Sequence, residues 1–470
     1  MNRMVIVVGA GMGGLAAALR LARRGCRVRV IESSEQTGGL AAGMERDGLR
    51  FDGGPYLLLD RPGLEWSFRE LGLDLAGQVP MRRVEDVYQV QAADGSVVRI
   101  RADLDETADG MERTWPGGGQ RYRAFVARVS RIHERLRPLL TSPRPGPAAL
   151  IGSGAWRDLP FLLRSLRSVL AGAGLPRAVA DAVAIWTHVA GQMTAGAPSP
   201  LAFVTAILHG VGAFLPAGGI GAIPSALTAA AREAGVEFDL GTMVAAIRCD
   251  GGQVRGVTTT DGTSLGADAV VSNRNGVGTY LELARGAIPV AARRRLERLP
   301  LQSPGVCAYL AVRGGSKPPY LRFHLPGGGE LCRLLVTPAA VVDGLGHDGW
   351  VPARLIAPMA YGEAQRIGPE GQREYLERVL SEPWWREDVA EARVLDARTP
   401  TDWGAACNLY RQSMNPVMTA RLMRIGRLAH RSPYVERLYL SGSATHPGQW
   451  VSFCTISGVL AADRVLEGLS

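Results

Sequence analysis

The sequence predicts an α/β fold in which a nucleotide-binding domain is interleaved with a mixed α+β domain, and three observations predict it. The chain opens on a strand–helix–strand pattern with a glycine-rich turn. Strand and helix alternate again over 220–272 and after 438, while the stretches between them read as hairpin or helix. At 470 residues the chain exceeds what one compact core holds, so two domains sharing a cleft are expected.

Residues 4–8, Met4-Val5-Ile6-Val7-Val8, form a short apolar strand, 13–24 an Ala- and Leu-rich helix, and 27–32 a second strand ending in Glu32. Residues 84–101 alternate around Asp94-Gly95 as a hairpin, which breaks the βα rhythm. From Gly119 to about Leu215 the pattern is helical, interrupted by the Pro- and Gly-rich stretch Ser142 to Gly154. Within it, 156–170 combine an apolar face with Arg157, Arg164 and Arg167, a pattern that fits either a helix lying on a membrane surface or a domain helix with a solvated arginine face. A helix at Ile223 to Glu233 and a strand at Ala269 to Ser272 restore the α/β character. A strand candidate at Val306 to Val312 and a helix at Gly371 to Leu380 follow, and Leu438-Tyr439-Leu440 with the helix Ile456 to Leu466 closes the chain. The expected division gives 1–80, 214–280 and 431–470 to the nucleotide-binding domain. It gives 81–213 and 281–430 to the substrate-binding domain, mainly helical at about 119–213.

Composition is that of a folded globular chain, with 46% hydrophobic and 21% charged residues. The net charge of +9 is nearly all arginine, Lys317 being the one lysine, and it is scattered along the sequence, which argues against a nucleic-acid partner. Six separated cysteines without a Cys-x-x-Cys pair read as reduced core residues, and no metal set is expected. The start on a strand pattern, with no charged leader, gives a cytoplasmic expectation. From Ala182 to Ala231 no Asp, Glu, Lys or Arg occurs, but Gly191, Pro198, Pro200 and Pro216 cut the stretch below the roughly 20 residues of a bilayer helix. Buried helices are expected there.

Gly9-Ala10-Gly11-Met12-Gly13-Gly14 matches G-x-G-x-x-G between the first strand and its helix. Gly9 permits the tight turn, Gly11 lets the backbone approach a pyrophosphate, and Gly14 lets helix and strand pack closely. The helix N-terminus supplies free N–H groups to the anion. Glu32, about twenty residues on, is placed to accept from a ribose 2′-hydroxyl, and its charge argues against a 2′-phosphate.

Beyond Glu32 come Gly38-Gly39-Leu40 and Phe51-Asp52-Gly53-Gly54-Pro55-Tyr56. With these elements the chain resembles the FAD-dependent amine oxidase superfamily. Three further segments narrow the resemblance to its bacterial phytoene desaturase and carotenoid isomerase-like branch: Phe214 to Ile220, Ala267 to Asn273, and Leu438 to Gly448 with its Ser441-Gly442-Ser443-Ala444-Thr445-His446-Pro447 core. The likeness spans essentially the whole chain and implies a glutathione-reductase-like, Rossmann-type FAD-binding domain. It also implies that Gly9 to Gly14 hold the pyrophosphate, Glu32 the adenosine ribose, and Gly38, Gly39 and Leu40 the adjoining turn. Gly54, Pro55 and Tyr56 would pass near the isoalloxazine ring, Val244 would clasp the adenine side, and Gly442, Ser443, His446 and Pro447 would run beside the ribityl chain and flavin.

The sequence departs from that branch at Gly448-Gln449-Trp450-Val451, where the family continues with further glycines and a Val-Pro step. Gln449 and Trp450 are therefore expected in the substrate pocket. No catalytic acid–base pair is evident; His188, Asp402 and Tyr410 are the candidates, and a histidine on an apolar helix is more often a core residue. The resemblance implies hydride transfer between FAD and an apolar polyene or isoprenoid, in desaturation, saturation or isomerisation. A secondary-metabolite tailoring oxidoreductase or reductive cyclase and a non-catalytic flavin-binding protein stay open. An amine oxidase is disfavoured, because the one lysine lies in a loop-like run, Gly314 to Pro319, and the C-terminal motif has Ser443-Ala444-Thr445 in place of an acid. Substrate identity, electron acceptor and oligomeric state are not legible.

Overall fold

The computed structural model describes residues 3–143, 145–314, 317–387 and 389–470, with Pro147 described in its backbone alone. A five-stranded parallel sheet runs in the order Leu438–Leu440, Ala269–Ser272, Met4–Val8, Arg27–Ile31, Glu237–Asp239, so its strands come from three separated parts of the sequence. Val5, Val7, Val30, Ala269 and Val271 are fully buried, as expected of strands covered on both faces. The helices Met12–Arg23 and Val451–Leu469 lie against each other beside this sheet. Gly458 permits the contact, since a Cβ there would sit 2.3 Å from the Gly13 carbonyl oxygen. Arg20 bonds Asp463 across the pair at 3.0 Å. The C-terminal helix is thereby fixed against the N-terminal glycine turn.

A seven-stranded sheet forms the second body, in the order Val389–Arg398, Val306–Gly314, Val351–Ala357, Arg333–Val336, Leu321–His324, Asp86–Gln91, Val97–Arg101. Its pairings are antiparallel except that of Leu321–His324 with Asp86–Gln91. The last two strands are the hairpin expected around Asp94-Gly95. Helices Leu104–Thr114, Gly118–Leu136, Arg177–Val189 and Phe203–Gly210 pack onto one face, sharing one apolar core with the sheet. Buried helices occupy most of the uncharged 182–231 stretch, and among the described residues no helix is long and apolar enough to cross a membrane.

The amphipathic helix expected over 156–170 is not a single helix. The segment divides into a 3₁₀ turn Ala155–Asp158 and short helices Leu159–Leu162 and Leu166–Ala171. Ser165 breaks it: its backbone is extended, it bridges Pro198, and its hydroxyl caps Ser168 N at 3.3 Å. That local hydrogen bond competes with continuation of the preceding helix.

Candidate cofactor and substrate cavity

The glycine turn after the first strand is shaped by close approach. Gly9 has φ of 97°, and a Cβ on Gly14 would lie 2.0 Å from the Gly9 carbonyl oxygen. Cβ atoms on Gly11 and Gly13 would lie 2.6 Å from Asn273 Nδ2 and 2.7 Å from Gly442 N. The turn is therefore stacked between two other loops, and any side chain would push them apart. Helix Met12–Arg23 begins with no side-chain cap, leaving its first N–H groups for an anion.

Glu32 ends the second strand, 9% exposed, its carboxylate receiving Ala10 N at 2.6 Å and Ser34 N at 2.9 Å. A carboxylate has further acceptor capacity, and this one borders the cavity, as a ribose hydroxyl partner requires. Thr242 N bonds the Glu32 carbonyl at 2.8 Å and brings Val244 to the same wall. Gly38 N donates to Ala10 O at 2.8 Å, and Gly38 and Gly39 both take positive φ, which turns Leu40 into the cavity wall.

Past this end, the second sheet grips the turn that carries Gly54, Pro55 and Tyr56. Arg354 donates to the carbonyls of Gly53 at 2.9 Å and Gly54 at 3.0 Å, and Tyr309 donates to Gly53 O at 2.8 Å. Tyr320 donates to the Tyr56 carbonyl. Asp52 accepts from Ile220 N at 2.6 Å. Burial pushes its carboxyl up to about 6 against the pull of Arg354 and these N–H bonds. On the opposite side, Gly442 N is held by Ser457 Oγ at 2.9 Å, presenting Gly442 and Ser443 to the cavity.

One cavity of about 620 Å³ connects all of these. It runs from Glu32 and Val244 past Gly11 and Gly442 to a part walled by Trp186, Val189, Leu201, Val204, Leu334 and Ile356, with Gln449 and Trp450 beside them. Trp450 is held by stacking on Phe453 at 4.9 Å. The glycine cradle, the uncapped helix start and the acceptor at Glu32 fit a dinucleotide. FAD would be held by Gly9, Gly11, Met12 and Gly13, Glu32, Gly38 to Leu40, the Gly53–Tyr56 turn, Val244 and Gly442 to Ser443.

Several expected site residues stand elsewhere. Ala10 and Gly14 are packing residues of the turn, off the cavity wall. His446 and Pro447 lie off it as well: the His446 ring bonds Leu139 O at 2.9 Å, and its carbonyl meets the His430 ring at 3.0 Å. The loop turns toward the helical layer there and returns to the cavity wall at Gln449 to Ser452. His188 accepts Cys332 N at 3.0 Å through Nδ1, and burial lowers it to about 4, which makes it a neutral core residue and not a proton acceptor for a substrate. Asp402 is the capping partner of Thr399, taking both its N–H and its hydroxyl at 2.8 Å. Tyr410 packs against Gly278 in a core cluster. None of the three candidates reaches the cavity.

Sequence reasoning missed Arg354, Asn273, Gln302 and Asn415, all of which border the cavity. Asn273 had a local signal, since it follows a buried strand at the same end as the glycine turn; the others sit in undistinguished runs.

The fold and site define a flavin-binding oxidoreductase of the two-domain α/β class, with FAD as its cofactor. The family model described as flavin containing amine oxidoreductase matches residues 12–276, and the chain belongs to that family. Within it the chain falls in the phytoene desaturase-like branch. It is 28% identical to a zeta-carotene-forming phytoene desaturase of Myxococcus xanthus, over 99% of this chain and 94% of that one. It is 24% identical to a 4,4'-diapolycopene oxygenase of Methylomonas sp, over 100% and 99% of the two chains. Among solved structures, an oxidoreductase from Methanosarcina mazei aligns with TM-score 0.70 at 16% identity over 99% of this chain and 100% of that one. A putrescine oxidase variant aligns with TM-score 0.66 at 17% identity over 99% of both. At such identities the structural likeness shows the fold.

Proposed function

We propose that this FAD-dependent oxidoreductase acts on an apolar polyene or isoprenoid, hydride passing between the substrate and the flavin. The observation that carries this reading is the cavity wall of Trp186, Val189, Leu201, Val204, Leu334 and Ile356, continuous with the dinucleotide cradle. FAD, when bound, supplies the two-electron chemistry. The chain's own residues orient and enclose. Arg354 holds the Gly53–Gly54 turn from the second sheet, the apolar wall excludes water, and Trp450 closes one side. Among the described lining residues the one carboxylate is Glu32, at the far end, so the apolar part offers no counter-charge to an ammonium substrate. Lys317 is exposed and is not among the residues lining this wall, while its neighbours Gly315 and Ser316 lie outside the described residues. Both points favour a neutral substrate over an amine. The test is anaerobic mixing of the purified holoprotein with acyclic polyenes and with primary amines. Flavin bleaching by a polyene is the expected result; bleaching by amines alone overturns the reading.

We also propose peripheral docking on a bilayer. Of the ten large apolar residues exposed among the described ones, six lie close together: Ile151 66%, Trp156 50%, Leu159 41%, Leu163 49%, Met193 42% and Ile425 51%. Arg424 bonds Leu163 O at 2.8 Å, and Ala420 N bonds Gly196 O at 2.9 Å, which joins their segments. Exposed Arg157, Arg164, Arg167, Arg421 and Arg424 border the patch, and the nearby acid Asp158 is buried against Arg135 at 2.6 Å. Exposed apolar groups ringed by unopposed arginines suit the anionic leaflet that faces the cytoplasm. The same segments pack on Phe203, next to the cavity-lining Leu201 and Val204. Vesicles containing phosphatidylglycerol should sediment the protein, and the double variant Ile151→Glu, Leu163→Glu should stay in solution. Wild-type protein that ignores such vesicles overturns the docking.

A further inference from the structure

The departure from the family pattern at Gln449 has a structural partner far away in sequence. Asn415 Nδ2 donates to Gln449 Oε1 at 2.8 Å and to Pro416 O at 2.8 Å. Gln302 stands beside Asn415, because Gln302 N bonds Asn415 O and Met414 N bonds Gln302 O, each at 3.0 Å. These backbone bonds hold two of the three amides in place without using their side chains. Asn415 is 2% exposed and Gln302 4%, and all three residues border the cavity next to its apolar part.

The three amides have hydrogen-bonding capacity to spare. Gln302 Oε1 is buried without a partner. Asn415 Oδ1 and Gln449 Nε2 make no hydrogen bond among the described residues, and Gln449 is half-buried. The Pro416 carbonyl can only accept, so the Asn415 amide must present its NH2 on that side and Gln449 its oxygen, which leaves Asn415 Oδ1 as spare acceptor and Gln449 Nε2 as spare donor. A buried polar atom left unmet costs stability, so Gln302 Oε1 at the side of an apolar cavity, with the spare groups of Asn415 and Gln449 near it, is what a ligand's polar end would satisfy. The cluster is neutral, and a charged end would demand a counter-charge that it lacks. A hydroxyl or carbonyl group, by contrast, can be both recognised and solvated by it.

We propose that Gln302, Asn415 and Gln449 form a polar subsite for a hydroxyl or carbonyl oxygen at one end of an otherwise apolar isoprenoid. This rests on the functional reading above and narrows it from hydrocarbons to oxygenated chains. The carbonyl edge of the flavin ring has the same chemistry, so the test separates the two sources. The holoprotein is titrated with a matched pair, an acyclic polyene hydrocarbon and its terminal aldehyde, following the visible flavin spectrum. FAD binding to apoprotein is followed by quenching of flavin fluorescence. Wild type should bind the aldehyde about tenfold more tightly than the hydrocarbon, and Gln449→Leu or Gln302→Leu should erase most of that preference. Each variant's flavin spectrum reports whether it has folded, and the two substitutions act on separate segments. Equal binding of the pair by wild type overturns the proposal alone. Variants that lose FAD affinity while keeping the aldehyde preference assign the amides to the cofactor and overturn it too. If neither polyene perturbs the flavin while an amine does, the functional reading fails and the subsite with it.

Discussion

Arg354, on a strand of the seven-stranded sheet, donates to the carbonyl oxygen of Gly54 at 3.0 Å, joining residues 300 positions apart at the cavity wall. The guanidinium is buried, lies over the Tyr309 ring at 5.3 Å, and faces the Asp52 carboxyl. It is a positioning residue for the turn next to the cofactor cradle. Arg354→Met should destabilise the protein by about 3 kcal/mol, since it strands two carbonyls and a buried acid. Chemical denaturation measures the loss, and a fall in FAD occupancy at purification should accompany it.

Gly458 presses on the glycine turn from the C-terminal helix. An alanine methyl there would sit 2.3 Å from Gly13 O and 2.8 Å from Ala16 Cβ, with backbone on one side that cannot give way. Gly458→Ala should cost about 2 kcal/mol or more and reduce FAD retention, although the residue never lines the cavity. Unchanged melting and cofactor content would contradict the close crossing.

Glu32 binds two backbone N–H groups and keeps acceptor capacity toward the cavity. Glu32→Ala should weaken FAD binding about a hundredfold, combining the lost acceptor with a loosened Ala10 turn. Fluorescence titration of apoprotein with FAD reads this directly. Glu32→Gln, which keeps an acceptor oxygen, should lie between the two.

The pH dependence has a defined sign at Asp52. Its carboxyl rises from 3.8 to about 6 on folding, so the native state holds a proton there that the unfolded chain has released between those values. The stability it contributes is fully present below 3.8 and is lost as pH rises through about 6. Relative to Asp52→Asn, wild type should therefore lose about 2 kcal/mol between these limits, measured by urea unfolding across a pH series. His188 and His430 act oppositely. Burial lowers both to about 4 from 6.5, so their contribution is present above 6.5 and lost as pH falls through about 4. A native His188 must stay neutral to accept Cys332 N.

The nucleotide-binding half was legible because its signals are local. Glycines at 9, 11 and 14 between an apolar strand and an Ala-rich helix admit few backbone geometries, and an acid at the end of the next strand completes them. The 156–170 segment misled for the same reason: its apolar periodicity is real, but Ser165 stops the helix by a bridge to Pro198, a partner outside any local window. His188, Asp402 and Tyr410 had residue types suited to catalysis, and each is occupied by a structural hydrogen bond or a core contact.

By itself the sequence determined the α/β class, the dinucleotide cradle from Gly9 to Glu32, FAD as cofactor through its resemblance, and Gln449 as a departure at the cavity. The tertiary structure decided what surrounds that cradle. Only folding brings Arg354 to Gly54, Asn273 to Gly11 and Asn415 to Gln449, and only folding turns His446 away toward Leu139. The physical reason is range. Turn geometry and strand periodicity are set by neighbours a few residues apart, whereas a cavity wall is made by side chains whose meeting depends on how whole sheets pack, and no local pattern encodes it.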